Sequence, residues 1–330
     1  MRELLNRASR PLADAVAERR VPGGVLGVAD ASGEQAMRAF GRAQVLPVER
    51  GMEEGSWFDL ASLTKVIFTT TRILQLAGEG VLDLDAPLRS VVPDFAQHYP
   101  ESWLQRVTFR QCLGHQTGFP GVFPLYTYGQ DPDLLRQFVL HRHWREGPPV
   151  YSDINFILLG IVLERLEGKA IREMDPGPGF AWGAKPEEAA ATERCPWRGR
   201  VLVGEVHDEN CAALQGAGHA GLFGTASAVL NYAFDVLNVS TLLPATVSLM
   251  REKLSERRTH GWERRHSGWS GGDGCSEETI GHTGFTGTGL WIDFARGRAW
   301  TLLTNRVHPT RHFDSGILPL RRAVGDLVSQ

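Results

Sequence analysis

The sequence predicts an α/β (α+β) protein: an antiparallel sheet formed by both chain ends, flanked by helices, with an inserted all-helical lobe. Apolar runs bounded by turn residues indicate strands within residues 23–43 and again within 281–307. Between these regions the apolar residues recur mainly at helical spacing. A chain with strands at both ends and helices between them fits one sheet built from the two termini with a helical part inserted.

The length and composition indicate one domain. The chain has 330 residues, of which 42% are hydrophobic and 22% charged. This is sufficient for one large core or for two packed lobes. We expect a single domain over residues 1–330, with a sheet lobe at about 1–55 and 215–330 and a helical lobe at about 56–214.

Charge and hydropathy exclude several classes of protein. The net charge is −3 and no basic patch is visible, so we expect no nucleic-acid partner. The first 24 residues have a helical apolar spacing interrupted by arginines, which indicates an amphipathic surface helix rather than a signal peptide. No run of 18 apolar residues occurs, so we expect no spanning helix, no membrane partner and a cytoplasmic location.

The cysteines and histidines do not indicate a metal site. The four cysteines are widely spaced without a CxxC pair, and we expect free thiols. The stretches 141–143 (HRH) and 207–211 (HDENC) lack a metal-ligand spacing such as HExxH. We therefore expect neither a metal ion nor another cofactor.

In the first half of the chain, each predicted element has a local signal. Two strands at 23–30 and 34–43 are joined by a turn at 31–33. A helix follows over about 58–77, and Gly78 is its stop signal. Three more helices are predicted at 109–115 (with Thr108 as N-cap), at 131–144 and at 153–168.

The second half of the chain returns from helices to strands. Residues 171–196 are rich in Pro, Gly and Ala without a clean period, and we expect a long irregular connection there. Thr225 or Ser227 caps a helix at 228–239. The remaining predicted elements are two neighbouring strands within 281–307 and a closing helix at 316–329.

The first stretch with catalytic potential is Ser62-Leu63-Thr64-Lys65. Residues three apart share a helix face, so the Lys65 amine can reach the Ser62 hydroxyl. At a helix start, free N–H groups and the dipole favour negative charge, and a partly buried lysine is pushed toward its neutral, basic form. No other serine in the chain has a lysine three residues later. Taken alone, the pattern also fits a helix-start serine beside a solvated lysine.

Tyr151 lies just before the apolar helix, where its side chain can point into a cleft. A phenol acts as a general base only if nearby cations lower its pKa, and Lys65 is such a cation. In the simpler interpretation, Ser152 or Asp153 is an N-cap and Tyr151 packs on the surface.

The third stretch, His282-Thr283-Gly284, lies where a strand is predicted to begin. Glycine there lets a substrate approach the backbone, and a strand edge offers a main-chain N–H group to an oxyanion. By itself, the stretch is better explained as a turn-rich strand entry.

Together and in this order, the three stretches resemble the class C β-lactamase and penicillin-binding-protein-like serine hydrolases. That family carries SxxK on a helix, YxN or YSD at the edge of the helical lobe, and KTG or HTG on a sheet strand. The stretches 113–120 (LGHQTGFP) and 218–226 (GHAGLFGTA) also match. The resemblance covers roughly 21–307 and implies a β-lactamase/transpeptidase-like fold with one catalytic domain. It further implies a small-molecule acyl substrate (ester, amide or β-lactam) and a monomer or weak homo-oligomer.

The resemblance assigns a role to each matching residue. Ser62 is the nucleophile that accepts the acyl group, and Lys65 activates it. Tyr151 relays the proton to the leaving group and later helps to activate water. The backbone N–H of Ser62 and a second one after the strand motif form the oxyanion hole, in which one donor contributes about 3 kcal/mol. The matching residues on the strand side, which line the cleft and supply that second donor, are His282, Thr283, Gly284 and Phe285.

Two residues depart from the pattern of the β-lactam-hydrolysing members. Asp153 replaces asparagine, and its carboxylate only accepts hydrogen bonds, so it repels a substrate carboxylate or instead pairs with Lys65 and holds it cationic. His282, expected to bond the Tyr151 oxygen, replaces lysine, and a histidine with a pKa of about 6.5 is mostly neutral at pH 7. Both changes reduce positive charge where a substrate carboxylate docks. We therefore expect hydrolysis of a neutral ester or amide rather than efficient penicillin hydrolysis.

Two other interpretations stay open. A family member can be a penicillin-binding or ligand-sensing protein that is acylated with little or no turnover. A different hydrolase fold is indicated by 268–272 (GWSGG), which fits GxSxG, although no buried strand precedes it and no helix follows. The segment after Gly168 is also shorter than in the family, which opens one wall of the expected cleft.

Overall fold

The computed structural model describes residues 1–330. Its strands form a seven-stranded sheet and two small sheets. In chain order the strands are β1 (Gly23–Asp30), β2 (Gln35–Gln44), β3 (Arg50–Gly51), β4 (Phe58–Asp59), β5 (Phe180–Ala181), β6 (Ala191–Cys195), β7 (Arg200–Val203), β8 (Phe223–Gly224), β9 (Glu263–Arg264), β10 (Thr279–Thr283), β11 (Thr288–Asp293) and β12 (Arg298–Thr304).

Ten α-helices flank or separate these strands, and none has the length and apolarity needed to cross a membrane. In chain order they are α1 (Arg2–Ala8), α2 (Arg10–Ala17), α3 (Thr71–Gly78), α4 (Phe109–Leu113), α5 (Pro132–His141), α6 (Asp153–Glu167), α7 (Glu209–Ala213), α8 (Ala226–Asn238), α9 (Pro244–Arg251) and α10 (Ile317–Val328). The single N-terminal helix predicted from the apolar spacing is thus two short helices that meet at Ser9.

Both chain ends build the large sheet, as predicted. Its strand order is β3-β2-β1-β12-β11-β10-β9, and β1 pairs with β12 in antiparallel register. Leu26 opposite Leu302 belongs to a buried cluster shared with α1, α2 and α10. One residue along, Val25 opposite Leu303 belongs to the larger core shared with α8 and the inserted helices. The period-two alternation of strand side chains therefore gives the sheet two buried faces.

The inserted part of the chain is largely helical, with α6 at its centre. Residues 154–163 of α6 are all buried. The part is not entirely helical, because β4 and β5 pair with β8, and β6 pairs with β7. Strands of two residues carry no detectable alternation, so β4, β5 and β8 left no signal in the sequence. The predicted irregular connection at 171–196 contains β5 and β6. The division into two lobes with the boundaries given above stays a prediction.

The helix that follows β4 differs in detail from the predicted one. Phe58 and Asp59 are a strand rather than a helix start, and helical geometry begins only after Ser62. Residues 65–70 form a π-helical segment that continues into α3. Such wider turns inside a helix are uncommon and occur often at functional sites.

A buried carboxylate joins the β6–β7 sheet to the segment after β12. The side chain of Glu193 is 2% exposed and accepts hydrogen bonds from Arg311 Nε (2.6 Å) and from the Arg311 backbone N–H (3.0 Å). His207 Nε2 lies 3.0 Å from the same carboxylate. Burial alone raises the pKa of Glu193, but the bonds from His207 and Arg311 outweigh it and lower the pKa to about 2.

We expect Glu193→Gln to lower the free energy of unfolding at pH 7 by about 2–3 kcal/mol, because one partner of a buried pair loses its charge. A depressed carboxyl pKa contributes stability above the pKa of the unfolded chain, and that contribution is lost as pH falls toward 2. The difference between the two proteins in urea unfolding is therefore largest near pH 7 and shrinks below about pH 4.5. Glu205→Gln, which removes the carboxylate partner of the exposed Arg200, is the control and leaves stability nearly unchanged. An equal difference at pH 7 and pH 3 would contradict this account.

Candidate active site

A strained turn presents Ser62 at the start of its helix. Ala61 adopts a left-handed backbone conformation (φ 48°), which is unfavourable for a residue with a Cβ. The buried carboxylate of Asp59 fixes this turn, because it accepts hydrogen bonds from the Ala61 N–H (2.8 Å) and the His207 N–H (2.6 Å). Ser62 itself is half-buried and lines the cleft.

Lys65 is completely buried, and three oxygen atoms accept its charge, two through hydrogen bonds and Asp153 Oδ1 through an ion pair without hydrogen-bond geometry. Nζ lies 2.8 Å from Ser62 Oγ, 2.9 Å from the His219 carbonyl oxygen and 2.8 Å from Asp153 Oδ1. The predicted contact between Ser62 and Lys65 is therefore present. The Asp153 side chain is 34% exposed, so this ion pair joins the buried lysine to the cleft.

The surroundings of Lys65 hold it in its charged form. Burial alone lowers the pKa of Lys65, but the charges of Asp153 and Tyr151 outweigh it and raise the pKa above its ordinary value. The expectation that burial makes this lysine neutral and basic is therefore wrong for the unliganded protein. The alternative given for Asp153, pairing with Lys65 and holding it cationic, matches the structure.

Tyr151 is held between aromatic and cationic groups. Its ring lies 4.3 Å from the ring of His115 and 5.3 Å from both Lys65 Nζ and the guanidinium carbon of Arg258. Ser152 caps α6, and its backbone N–H donates to Nδ1 of His115 (3.1 Å). Ser152 is therefore the N-cap, and Tyr151, which precedes it, lines the cleft.

His282 is buried at the end of β10, on the same cleft. Its Nδ1–H donates to the Thr283 carbonyl (3.0 Å), while Nε2 is buried without a partner. Burial lowers the pKa of His282 well below its ordinary value, and the charges of Arg258 and Lys65 lower it further. The imidazole is therefore neutral. Its ring lies 5.9 Å from that of Tyr151, and the expected hydrogen bond between the two side chains is not formed.

The backbone N–H groups of Ser62 and Phe285, two residues that line both halves of the cleft, have no acceptor within the protein. Gly284 lies between the end of β10 and Phe285. This position requires glycine, because a Cβ there would collide with the Thr288 hydroxyl and the Leu60 carbonyl. This close approach brings the end of β10 against the turn that carries Ser62.

The cleft has two halves of opposite charge with Ser62, Tyr151 and Phe285 between them. One half, of about 370 Å³, is lined by three arginines, by one carboxylate (Glu263, which pairs with His266) and by the residues of the β10 end. The other, of about 230 Å³, is lined by three carboxylates and one arginine. A larger cavity of about 670 Å³ between α3 and α8 contains none of the predicted site residues. The arginines of the first half are Arg258, Arg306 and Arg321, and the charged residues of the second are Asp153, Asp208, Glu209 and Arg311.

The arginine-rich half corrects one expectation. Arg321 of α10 is 7% exposed, donates to the Gly284 and Thr288 carbonyls (2.9 and 2.7 Å) and has an unpartnered Nε. Burial, with the nearby charge of Arg306, lowers its pKa to about 9. Arg258 makes no ion pair and lies over Tyr151. The argument that His282 and Asp153 reduce positive charge where a substrate carboxylate docks did not include these arginines, which supply positive charge on the His282 side.

Three residues form the only set with a metal-binding composition. The side-chain donors of Asp153, Asp208 and His219 lie within 4.8 Å of one another. These donors are already used, because Lys65 contacts Asp153 and His219 Nε2 lies 2.8 Å from Asp208 Oδ1. We therefore assign the set to charge and proton chemistry and place no metal there.

The structure brings all eight predicted site residues together on one cleft, namely Ser62, Lys65, Tyr151, Asp153, His282, Thr283, Gly284 and Phe285. Sequence reasoning gave no role to His115 or to 207–209, although both lie in stretches that resemble the family, 113–120 and 204–210 (GEVHDEN). It missed the three arginines of the cleft. Arg258 and Arg321 lie in no local sequence pattern that marks them as cleft residues.

The rival nucleophile at 268–272 is not supported. Ser270 is 6% exposed and accepts a hydrogen bond from the Trp291 indole N–H (3.2 Å). A serine buried beneath the sheet in this way has no access to a substrate, so the GxSxG match is coincidental.

Comparisons with known proteins agree with this geometry. The family model described as Beta-lactamase matches residues 9–323. The N-acetylmuramyl-L-alanine amidase of Bacillus subtilis (strain 168) is 30% identical over 78% of this chain and 69% of its own. A putative D-alanyl-D-alanine carboxypeptidase of Escherichia coli (strain K12) is 28% identical over 81% of this chain and 74% of its own.

Solved structures share the fold at low identity. A class C beta lactamase from Rhodobacter sphaeroides superposes with a TM-score of 0.74 at 19% identity, covering 98% of both chains. EstCE1, described as a hydrolase with promiscuous acyltransferase activity, gives 0.75 at 18% identity over 100% of this chain and 99% of its own. The predicted fold class and family resemblance are confirmed. The chain belongs to the beta-lactamase family.

Proposed function

We propose that this chain is a serine hydrolase that forms an acyl-enzyme on Ser62 and cleaves amides or esters whose leaving group carries a carboxylate. One observation carries the proposal: Ser62 Oγ, 2.8 Å from Lys65 Nζ, opens onto a cleft with an arginine-rich half beside it. The relatives support the reaction type, because one is named an amidase and the other a putative carboxypeptidase.

In the first step Ser62 Oγ attacks the substrate carbonyl carbon and a C–O bond forms. The Lys65 ammonium, which donates to Oγ, stabilises the negative charge that develops there. The free N–H groups of Ser62 and Phe285 are the proposed donors to the carbonyl oxygen as it becomes an oxyanion. Loss of one such donor typically costs about 3 kcal/mol of transition-state stabilisation.

The proton of Ser62 needs an acceptor other than a charged Lys65. Tyr151 lies beside both residues and is the proposed relay in its phenolate form, which the adjacent Lys65 and Arg258 cations favour. The phenolate accepts the Ser62 proton and passes it to the leaving amine or alkoxide as the scissile bond breaks, which restores the phenolate. In the second step the phenolate takes a proton from the water that attacks the acyl-enzyme, and passes this proton to Ser62 Oγ as the ester bond breaks. The acid is then released.

The arginine-rich half favours a leaving group with a carboxylate. Arg258 has no ion-pair partner in the protein, and Arg306 binds only the Phe285 carbonyl (2.9 Å) and packs over its ring. Guanidinium groups bind carboxylates through paired, charge-assisted hydrogen bonds. The amino-acid product of a carboxypeptidase-like or amidase-like cleavage carries such a group.

The acidic half disfavours common β-lactams. Asp153 occupies the position at which β-lactam-hydrolysing members usually have an asparagine, and its carboxylate cannot donate a hydrogen bond to a carbonyl of the acyl side chain. Asp208 and Glu209 add negative charge to the same half. We therefore propose that the enzyme prefers linear amides or esters to penicillins.

A second candidate is a penicillin-binding or ligand-sensing protein that is acylated with little turnover. It is favoured by the three acceptors of Lys65, which hold this residue charged and leave it without a lone pair to activate water. The two candidates differ in the fate of the acyl-enzyme.

A fluorophosphonate probe tests the nucleophile. We expect it to label the wild type at one site and Ser62→Ala not at all, because only Ser62 has an adjacent lysine and oxyanion donors. Ser270→Ala is the matched control and labels like the wild type. Labelling of Ser62→Ala, or none of the wild type, would exclude Ser62 as the nucleophile. Labelling by a substrate without product release would favour the sensor.

Hippuryl thioglycolate and its methyl ester differ only in the carboxylate of the leaving group, and they test the arginine-rich half. Arg258→Ala should raise KM for the acid by about 10–100-fold, the effect of losing one charge-assisted hydrogen bond, and leave the ester unaffected. Arg257→Ala, an exposed neighbour outside the cleft, is the control. Equal effects on acid and ester would show that Arg258 does not recognise the carboxylate.

A further inference from the structure

One of the three Lys65 acceptors is the backbone carbonyl of His219, a residue whose side chain is held by Asp208. The ammonium donates to the His219 carbonyl oxygen at 2.9 Å. The His219 side chain, 1% exposed, points to Asp208, with Nε2 2.8 Å from Oδ1. The residue that helps to hold the lysine is thus itself held by a carboxylate eleven positions earlier in the chain.

Asp208 has two structural attachments. Its Oδ1 also accepts the Cys211 N–H (2.7 Å), which makes it the N-cap of α7. The interaction with His219 keeps the pKa of Asp208 below its ordinary value despite burial. An ionised carboxylate therefore stands at a fixed position, within 4.8 Å of Asp153.

The loop that carries His219 is packed between the helical segment of Lys65 and α6. Thr69 of the π-helical segment donates to the Gly218 carbonyl (2.7 Å). A Cβ on Gly218 would collide with the Phe156 carbonyl of α6. These contacts fix the loop at Gly218. The hydrogen bond to Asp208 fixes the next residue, His219, whose carbonyl accepts from the Lys65 ammonium group.

We propose that Asp208 and His219 are a positioning pair for Lys65. His219 orients the carbonyl that receives one ammonium proton, and the charge of Asp208 raises the proton affinity of the Ser62–Lys65–Tyr151 group. Neither residue touches the reacting atoms. This inference rests on the proposed function, since it concerns how readily Ser62 becomes a nucleophile.

The sign of the electrostatic effect does not depend on which group is the base. A nearby carboxylate favours the protonated form of every neighbouring base, so its removal lowers that pKa. Acylation that requires a deprotonated base rises with pH through that pKa. Loss of the Asp208 charge therefore moves the acidic limb of the pH profile to lower pH.

Three variants separate charge from position. Asp208→Asn keeps an oxygen that accepts from both His219 and Cys211 but removes the charge. His219→Ala keeps the charge and the helix cap but breaks the link. His219→Gln restores a donor that can reach Asp208. Asp131→Ala, which removes the exposed N-cap of α5, is the control for the loss of a cap.

The readout is the rate of fluorophosphonate labelling of the 330-residue chain between pH 6 and 11. Asp208→Asn should shift the acidic midpoint down by about one pH unit, the scale of a nearby charge in a partly buried site. His219→Ala should slow labelling about tenfold with an unchanged midpoint, and His219→Gln should recover most of that loss. Asp131→Ala should change thermal stability only.

The inference is overturned if Asp208→Asn keeps the wild-type midpoint, or if folded His219→Ala labels at the wild-type rate. Both results presuppose a labelled wild type. Absence of labelling in the wild type contradicts the proposed function instead, so the two failures are distinguishable.

Discussion

The buried ammonium group of Lys65 is the interaction on which the rest of the site depends. Removing a cation from water costs several kcal/mol, which is recovered only if its protons all find well-placed acceptors. Here the acceptors come from three separate segments: the strained turn at Ser62, the start of α6 at Asp153 and the loop at His219. The lysine therefore joins the helix start, the central helix and a distant loop into one site.

The same requirement explains the charge pattern of the cleft. Asp153 and Asp208 offset the charge of Lys65 and make one half of the cleft acidic. Arg258, Arg306 and Arg321 line the other half, and Arg258 has no carboxylate partner there. A substrate that places its carbonyl at the junction meets acceptors on one side and donors on the other. Selectivity in this account follows from that asymmetry rather than from the shape of the cleft.

The sequence allowed the sheet from both termini and all eight cleft residues to be predicted, because each motif is local and carries its own spacing. The sequence offered both a neutral and a cationic Lys65 without deciding between them, since the outcome depends on whether Asp153, 88 positions away, lies within 2.8 Å of it. Arg321 lies on the buried face of α10 and donates to the Gly284 and Thr288 carbonyls, a position that only the packing of α10 against the end of β10 determines. The two-residue strands β4, β5 and β8 are too short to show a period.

The protonation state of Lys65 can be measured directly, because the chain has only four lysines. In protein labelled with ¹³C at the lysine ε-carbons, four signals are expected, and Lys65→Arg assigns one of them. The signals of the three exposed lysines are the internal reference. The account predicts that the Lys65 signal keeps the shift of an ammonium group to at least pH 10.5, since its pKa is raised above the ordinary value of a lysine. A Lys65 signal that titrates below pH 9 would contradict the account.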